Sequence, residues 1–310
     1  MVPGWADGPR PVAFATLPVM AATLPGIRRR ILKWFGRERR DLPWRHSREP
    51  WAVLVSEVML QQTQASRIAE RFPAFLARYP TPQAMAHASE ADVLAAWTGL
   101  GYNRRALLLR RAASLIVADG WPPNVDGLRR LPGVGAYTAR AVAAIAFGMP
   151  VGAVDTNVRR WLVRRFGLPD DAPMADLQSL ADGLATAGGA RTRGDAAAAW
   201  MHASMEFGAR VCTVRRPSCD ACPIAAGCPS RSADRRVPVT RQAPFAGSRR
   251  AARGELLRAL AAAPGNVLPA TVEFEAVIVG LERDGLAHRS GTLLRLGARA
   301  HGEPPSTIEP

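Results

Sequence analysis

The sequence predicts an all-α body followed by a small unit of mixed secondary structure. From residue 27 to about residue 231, apolar residues recur three and four positions apart, without the sustained alternation that is typical of strands. Turn-forming residues separate these segments at 79–82, 99–101 and 119–123. A hydrophobic content of 48% in 310 residues is enough to bury a full core. These three observations favour a globular helical protein.

The same periodicity places the helices and the ends of the folded part. We expect helices at residues 51–64, 67–78, 92–97, 104–119, 136–147, 157–166 and 196–207. Residues 1–26 are expected to form a disordered leader, because a secretory signal would need a stronger charged region and a cleavage site. The proline-containing tail over 299–310 is also expected to be disordered.

A change in composition marks the C-terminal part of the chain. Residues 232–250 are rich in Arg, Pro and Ser, which is typical of a linker. Beyond them, the pattern predicts a helix at 253–262, a second helix near 274–283 and a strand pair ending at 293–296. This order suits a small winged-helix-like unit over 251–298.

The charge balance favours a polyanionic partner. The chain has 41 basic and 26 acidic residues, a formal charge of +15, and cationic side chains gain affinity for phosphates by releasing counterions. DNA, RNA and an anionic membrane surface all fit this charge. Because Lys33 is the single lysine, part of the arginine excess also fits a GC-rich coding bias. No stretch approaches the roughly 20 apolar residues of a membrane span, and we expect no membrane association.

Four cysteines, Cys212, Cys219, Cys222 and Cys228, form a C-x6-C-x2-C-x5-C loop. Their confinement to one short segment is unlike a disulfide framework and favours a cytoplasmic location. Thiolates this close in sequence can hold either tetrahedral zinc or an iron-sulfur cluster. A single C-x2-C pair favours the cluster, and free buried thiols are the remaining alternative.

A glycine-rich turn, with Gly133 and Gly135, lies between two predicted helices. Glycine permits backbone conformations closed to other residues, and the amides at the start of the next helix can bind an anion. The turn is therefore a candidate phosphate site. An ordinary tight turn is the alternative.

Two acidic residues are candidates for catalysis. Glu57 is the only charge in the apolar segment 51–64, and burial there would raise its pKa and let it carry a proton at neutral pH. Asp155 precedes a predicted helix and could simply be its N-cap, as Glu57 could simply face solvent. Together, an acid and a carboxylate suit the cleavage of a glycosidic bond, in which the leaving group gains negative charge and the sugar positive charge.

Taken in order over residues 42–229, these motifs resemble the endonuclease III and MutY superfamily of helix-hairpin-helix DNA glycosylases. The resemblance implies a two-lobed fold: residues 51–155 as a six-helix lobe with the hairpin, and residues 27–50 with 156–231 as a lobe that holds a 4Fe-4S cluster on the four cysteines. It also implies double-stranded DNA with a mismatched or oxidised base pair as the partner.

The resemblance also implies roles for the site residues. In MutY-type adenine glycosylases, the residue matching Glu57 protonates adenine, the one matching Asp155 stabilises the sugar cation, and Asn157 matches an asparagine beside it. The glutamine pair Gln61 and Gln62 and the aromatic Tyr102 match residues that contact or enter the base stack.

Two further residues, Trp44 and Arg45, resemble residues that line the adenine pocket; a packed edge with a solvated cation is the alternative. The lyase branch of the superfamily carries a lysine two residues past the second hairpin glycine, and that position is Tyr137 in this chain. The resemblance therefore implies base removal without strand cleavage. Asn103 departs from the family pattern, in which a second tyrosine follows Tyr102.

The C-terminal part also departs from the family. Many adenine glycosylases carry a Nudix-like domain that recognises 8-oxoguanine, and the residues after the linker are too few for it. We expect a monomeric, monofunctional adenine glycosylase that acts opposite guanine or 8-oxoguanine at the bacterial nucleoid. A T:G or U:G mismatch glycosylase and a non-catalytic iron-sulfur DNA-binding protein are the alternatives.

Overall fold

The computed structural model describes residues 17–189, 193–231 and 245–298. The chain forms two compact units. Among the described residues, unit 1 comprises residues 17–39, 148–189 and 193–231, and unit 2 comprises residues 40–147 and 245–298.

Both units are mainly helical, which confirms the predicted fold class. The helices of the described residues are α1 (Leu17–Glu38), α2 (Pro50–Leu60), α3 (Ala65–Arg78), α4 (Pro82–His87), α5 (Glu90–Trp97), α6 (Arg104–Asp119), α7 (Val125–Arg129), α8 (Ala136–Ile145), α9 (Thr156–Phe166), α10 (Met174–Thr186), α11 (Asp195–Arg210), α12 (Arg249–Ala262) and α13 (Glu275–Arg283). The strands are β1 (Val267–Pro269), β2 (Ala287–Ser290) and β3 (Leu293–Leu296). In the part of the chain that the structure describes, no helix is both long and apolar enough to cross a bilayer.

In unit 1, helices α1, α9, α10 and α11 pack around one apolar core. The ring of Phe207 meets Trp34 and Trp161 edge-to-face, with centroids 5.9 and 5.6 Å away, an arrangement that stabilises beyond area burial alone. Helix α1 begins at Leu17, so the expectation of a disordered leader is wrong for residues 17–26. Leu24 packs against the same core and extends the helix. Residues 1–16 lie outside the described residues.

In unit 2, residues 40–147, all of them described, contain seven α-helices where six were expected. Helices α4 and α7 have only six and five residues, too few to show an apolar period. Helix α2 packs against α3, α6 and α8, and every residue from Trp51 to Met59 is buried. Residues 40–50, expected in the cysteine lobe, belong to this unit because Trp44 packs edge-on against Phe72 of α3.

The C-terminal part of unit 2 has the winged-helix-like order that was expected. Helix α12 begins at Arg249, inside the expected linker, because the Ser248 hydroxyl accepts a hydrogen bond from the Ala251 amide and caps it. Residues 232–244 of that linker and the tail from 299 onward lie outside the described residues. The sheet is antiparallel in the order β1-β3-β2. Strand β1 was not predicted, since three residues show no alternation.

The C-terminal part of unit 2 packs on helix α5. Contacts to α5 come from α12 and β3. The Ala298 amide donates to Glu90 Oε2 at 3.0 Å, and a Cβ at Gly297 would lie 3.3 Å from Glu90 Cβ. The backbone at Gly297 has φ 91°, a conformation that glycine permits. The winged-helix-like part is therefore an integral layer of unit 2.

Residues 148–155, expected in the six-helix lobe, lie in unit 1. The Gly152 amide donates to Asp182 Oδ1 at 2.8 Å, and Gln178 Nε2 donates to the Gly152 carbonyl at 3.0 Å. A Cβ at Gly152 would lie 2.5 Å from the carbonyl carbon and oxygen of Ala181. Glycine is required because the segment at residue 152 touches the α10 backbone.

Gly152→Ala should lower the stability of the protein by about 1–3 kcal/mol, because the added methyl group overlaps the α10 backbone. Gly36→Ala is the matched control: it lies in α1 with nothing within 4 Å of a Cβ, and a gain of about 0.5–1 kcal/mol is expected from helix propensity. Denaturant unfolding measures both. Equal stability of Gly152→Ala and the wild type would contradict the close packing.

Candidate active site

Glu57 lies in the most apolar environment of unit 2. Its side chain is 3% exposed, within the run from Trp51 to Met59 that is buried throughout. The alternative of a solvent-facing carboxylate is therefore wrong. Removing a carboxylate from water is costly, and buried acids are concentrated where an enzyme uses their chemistry. The burial of Glu57 makes it the prime catalytic candidate.

The glycine-rich turn joins α7 to α8 as predicted. Gly133 has φ 78°, and a Cβ there would lie 3.0 Å from Leu108 Cβ, so its conformation and its packing both need glycine. Gly135, the N-cap residue of α8, has φ −83° and ψ 178°, which any residue adopts. The prediction that both glycines serve special backbone angles is wrong for Gly135. Gly135 instead leaves the first amides of α8 accessible to a ligand, because nothing lies within 4 Å of a Cβ there.

The predicted DNA-contacting residues of unit 2 surround the end of α2. Gln61 Nε2 donates to the Gly133 carbonyl and to Thr138 Oγ1, both at 3.2 Å, which ties α2 to the hairpin. Gln62 and Tyr102 have positive φ angles of 55° and 47°, and Tyr102 is 47% exposed. Non-glycine residues in this region cost about 1–3 kcal/mol each and cluster at functional sites.

Three other predicted site residues, Trp44, Arg45 and Tyr137, also lie in unit 2. Trp44 is 5% exposed in a short 3-10 turn, so its ring is part of the packed interior. Arg45 Nη1 donates to the Arg40 carbonyl at 3.0 Å. Tyr137 lies half-buried in the first turn of α8, at the position where a lyase would carry its lysine.

In unit 1, Asp155 is the N-cap of α9. Its Oδ1 accepts from the Val158 amide at 2.6 Å, and its Oδ2 accepts from Asn157 Nδ2 at 2.8 Å. The two carboxylate oxygens are thus oriented by separate donors. Asn157 Oδ1 in turn accepts from Arg160 Nη2 at 2.9 Å. The predicted pair of Asp155 and Asn157 is brought together, whereas Glu57 belongs to the other unit.

The hydrogen-bond chain continues from Arg160 to the cysteine loop. Arg160 Nε donates to the Cys212 carbonyl at 2.7 Å, and Nη2 also donates to the Gly208 carbonyl at 2.6 Å. Burial lowers the pKa of Arg160, and nearby Cys212 and Asp155 counter this effect. A Cβ at Gly208 would lie 2.6 Å from the Asn157 carbonyl oxygen, so α9 and α11 are in backbone contact here. Asp155 and the first cysteine therefore share one rigid framework.

The four cysteines line one cavity of about 70 Å³. In the described residues, no three cysteine, histidine or carboxylate side chains converge closely enough to ligate a single ion. Cysteine thiolates in proteins hold zinc or iron-sulfur clusters, so the residues that line this cavity could hold a metal centre.

Burial disfavours the charged thiolate at two of the four cysteines. Burial raises the pKa of the Cys222 thiol to about 11. Burial likewise raises the pKa of Cys212, while Arg164, whose Nη1 donates to Cys212 Sγ at 3.6 Å, opposes the rise. Without metal, these thiols are protonated at neutral pH, so metal loading must release protons.

Three arginines that were not among the predicted site residues are buried: Arg105, Arg160 and Arg164. Each donates mainly to backbone carbonyls of a neighbouring helix end or loop. Among 41 basic residues, no single arginine stands out by composition. The usable signal was position, because an arginine on the apolar face of an amphipathic helix must find acceptors inside the protein.

Comparisons with known proteins agree with this geometry. Residues 55–183 match the family described as "HhH-GPD superfamily base excision DNA repair protein". The adenine DNA glycosylase of Mycobacterium tuberculosis (strain CDC 1551 / Oshkosh) is 42% identical over 265 residues, which cover 82% of this chain and 84% of that protein. The chain belongs to the MutY-type adenine DNA glycosylase family.

Other members of the superfamily are also similar to this MutY-type chain. The thymine/uracil-DNA glycosylase of Pyrobaculum aerophilum is 35% identical over 205 residues, covering 63% of this chain and 86% of that protein. The solved structure of a thermostable thymine-DNA glycosylase matches with a TM-score of 0.62 at 28% identity, covering 69% of this chain and 98% of that one. The MutY-type relative is therefore similar over more of the chain and at higher identity than the thymine-directed relative.

Two substitutions separate the contribution of Asp155 as an N-cap of α9 from the contribution of its negative charge. Asn is as good an N-cap as Asp, so Asp155→Asn should leave stability nearly unchanged, whereas Asp155→Ala should cost about 1 kcal/mol. Thermal unfolding of both variants measures the difference. If Asp155→Asn unfolds as easily as Asp155→Ala, then the charge, and not the cap, stabilises α9.

Proposed function

We propose that this chain is a monofunctional glycosylase of base excision repair that removes adenine paired with guanine or 8-oxoguanine. The observation that carries the proposal is the burial of the Glu57 carboxyl group, which belongs to the apolar helix α2. Adenine is a poor leaving group unless it gains a proton as the bond breaks, and a buried carboxylic acid can supply that proton.

Asp155 would supply the second function. As the glycosidic bond lengthens, the sugar gains positive charge, and a fixed carboxylate beside it lowers the barrier. Two donors, the Val158 amide and Asn157 Nδ2, orient Asp155, so its reorganisation during the reaction would be small. Once Glu57 has given up its proton, its carboxylate would act as a base that activates water to complete hydrolysis.

The proposed enzyme lacks a lyase step. Strand cleavage by β-elimination needs an amine that forms a Schiff base with the opened sugar. Tyr137 occupies the corresponding position, and the single lysine, Lys33, is exposed on α1 of unit 1. Base removal should therefore leave an intact abasic strand.

Binding to double-stranded DNA would use the hairpin and the two loops at the end of α2. The amides at the N-terminus of α8 suit a backbone phosphate, and Arg129 and Arg130 are exposed at the adjoining end of α7. Gln62 and Tyr102 would fill the space that an extruded base leaves. These contacts position the duplex without reading its sequence. We expect the enzyme to act as a monomer at the bacterial nucleoid.

We assign the cysteine loop to a 4Fe-4S cluster on Cys212, Cys219, Cys222 and Cys228. When bound, such a cluster supplies a rigid, potentially redox-active centre. The single cavity that the four thiols line together supports this assignment. Four thiols within one segment also suit a reducing cytoplasm.

A T:G or U:G mismatch glycosylase is the second candidate, supported by the similarity to thymine-directed enzymes. Thymine departs with less need for protonation, so it would make little use of Glu57. The non-catalytic alternative gives no purpose to the buried Glu57 or to the hydrogen-bonded carboxylate of Asp155.

Single-turnover assays on labelled duplexes test the function directly. With A opposite 8-oxoguanine, A opposite G and T opposite G, and alkali added to half of each sample, we expect loss of adenine with breaks only after alkali, because no lysine is placed for elimination. The two adenine rates report whether 8-oxoguanine is preferred. Reaction of the T duplex alone, or breaks without alkali, would contradict the proposal.

The cluster is tested by Cys222→Ser, with Ser218→Ala in the same loop as the control. The serine hydroxyl is a poor ligand for iron, so the variant should lose most of its iron and its absorbance near 400 nm, while Ser218→Ala should keep both. Iron and sulfide analysis of the purified proteins measures this. Zinc in place of iron in the wild type would contradict the assignment.

A further inference from the structure

Arg105 closes the C-terminal end of α2. The side chain is 8% exposed and lies in the first turn of α6. Its Nη1 donates to the carbonyl oxygens of Val58, Met59 and Gln61 at 2.7, 3.0 and 2.5 Å. Carbonyls in the last turn of a helix have no partner within the helix. One side of the guanidinium therefore supplies hydrogen bonds to the carbonyl groups at the C-terminal end of α2.

The opposite side of the same guanidinium holds the loop that precedes α6. Arg105 Nη2 donates to the Gly101 carbonyl and to Thr63 Oγ1, both at 3.0 Å. The guanidinium carbon also lies 5.3 Å from the ring centroid of Trp97 and 5.5 Å from that of Tyr102, within the range of a cation–π interaction. Two loops that are distant in sequence are thus joined through one side chain.

Buried charge makes this arrangement costly. The acceptors of Arg105 in the described residues are carbonyl oxygens and one hydroxyl, with no carboxylate among them. Burial lowers its pKa to about 10, so it stays charged at neutral pH. A buried charge is costly unless it is hydrogen-bonded, and the acceptors around Arg105 meet this need. The forked geometry of guanidinium, which lysine lacks, is the property that this site uses.

The two joined loops carry Gln62 and Tyr102, both with positive φ. Each follows a residue whose carbonyl accepts from Arg105, Gln61 in one loop and Gly101 in the other. We propose that Arg105 is a positioning residue that holds Gln62 and Tyr102 in their left-handed conformations, so that both loops enter the DNA stack as one rigid wedge. This proposal rests on the proposed function, because it takes a DNA duplex as the ligand of these loops.

Arg105→Lys tests the proposal, since it keeps the charge and loses the fork. We expect the single-turnover rate on A opposite G to fall about 100-fold through misplacement of the loops. Arg110→Lys is the matched control on α6: Arg110 Nε donates to the Ala88 carbonyl at 2.7 Å, away from these loops, and its rate should match the wild type. Thr63→Val removes one hydrogen-bond acceptor of Arg105 and should lower the rate by a smaller factor.

A double-mutant cycle separates positioning from general stabilisation. If Arg105 acts through the two loop residues, then Arg105→Lys should have little further effect in the background Gln62→Ala with Tyr102→Ala, because coupled residues are not additive. The same fold-decrease in both backgrounds would overturn the proposal.

Amide hydrogen exchange gives a readout that does not need adenine release. Exchange at residues 61–63 and 99–102 should be faster in Arg105→Lys and Thr63→Val than in Arg110→Lys, with the rest of unit 2 unchanged. Unchanged exchange in these loops would overturn the proposal. If the wild type fails to release adenine but Arg105→Lys still exchanges faster in the two loops, then the positioning role of Arg105 is correct and the proposed substrate is wrong.

Discussion

The complete burial of α2 is the constraint on which the architecture of unit 2 depends. A helix that is apolar on every side needs neighbours all round it, and α3, α6 and α8 provide them. The same enclosure removes water from Glu57 and leaves the last carbonyls of α2 to be satisfied by protein groups. Gln61 links this end of α2 to the hairpin and Arg105 links it to the loop before α6. Under the proposed function, the proton donor and the DNA-contacting residues thus lie near the end of one helix.

Unit 1 uses the same physical device in a different place. Arg160 and Arg164 are buried and donate to backbone carbonyls around Cys212 and Thr213. Through Asn157, the first of them also reaches the carboxylate of Asp155. One chain of hydrogen bonds therefore runs from the cysteine loop to this carboxylate. These buried arginines link neighbouring segments because one guanidinium group can donate to several backbone carbonyls at once.

The sequence was sufficient to predict features with a strong local signal. The helical body, the cysteine loop, the hairpin turn and the isolated charge of Glu57 all came from periodicity or spacing. Short helices such as α4 and α7 gave no such signal, and the boundary of unit 2 depends on the tertiary contact between Trp44 and Phe72. The role of Arg105 was hidden because its acceptors come from segments far apart in sequence. Periodicity shows which face is buried, but not which carbonyls need a donor.

In the proposed reaction, the buried carboxyl group of Glu57 supplies the proton for base release. The single-turnover rate of Glu57→Gln on A opposite G, measured as a function of pH beside its affinity for the same duplex, tests this role. Glu70→Gln, on the exposed face of α3, is the matched control. We expect Glu57→Gln to lose at least about 100-fold in rate at every pH with unchanged affinity. A rate within a few-fold of the wild type would show that Glu57 is a packing residue and that the proton comes from elsewhere.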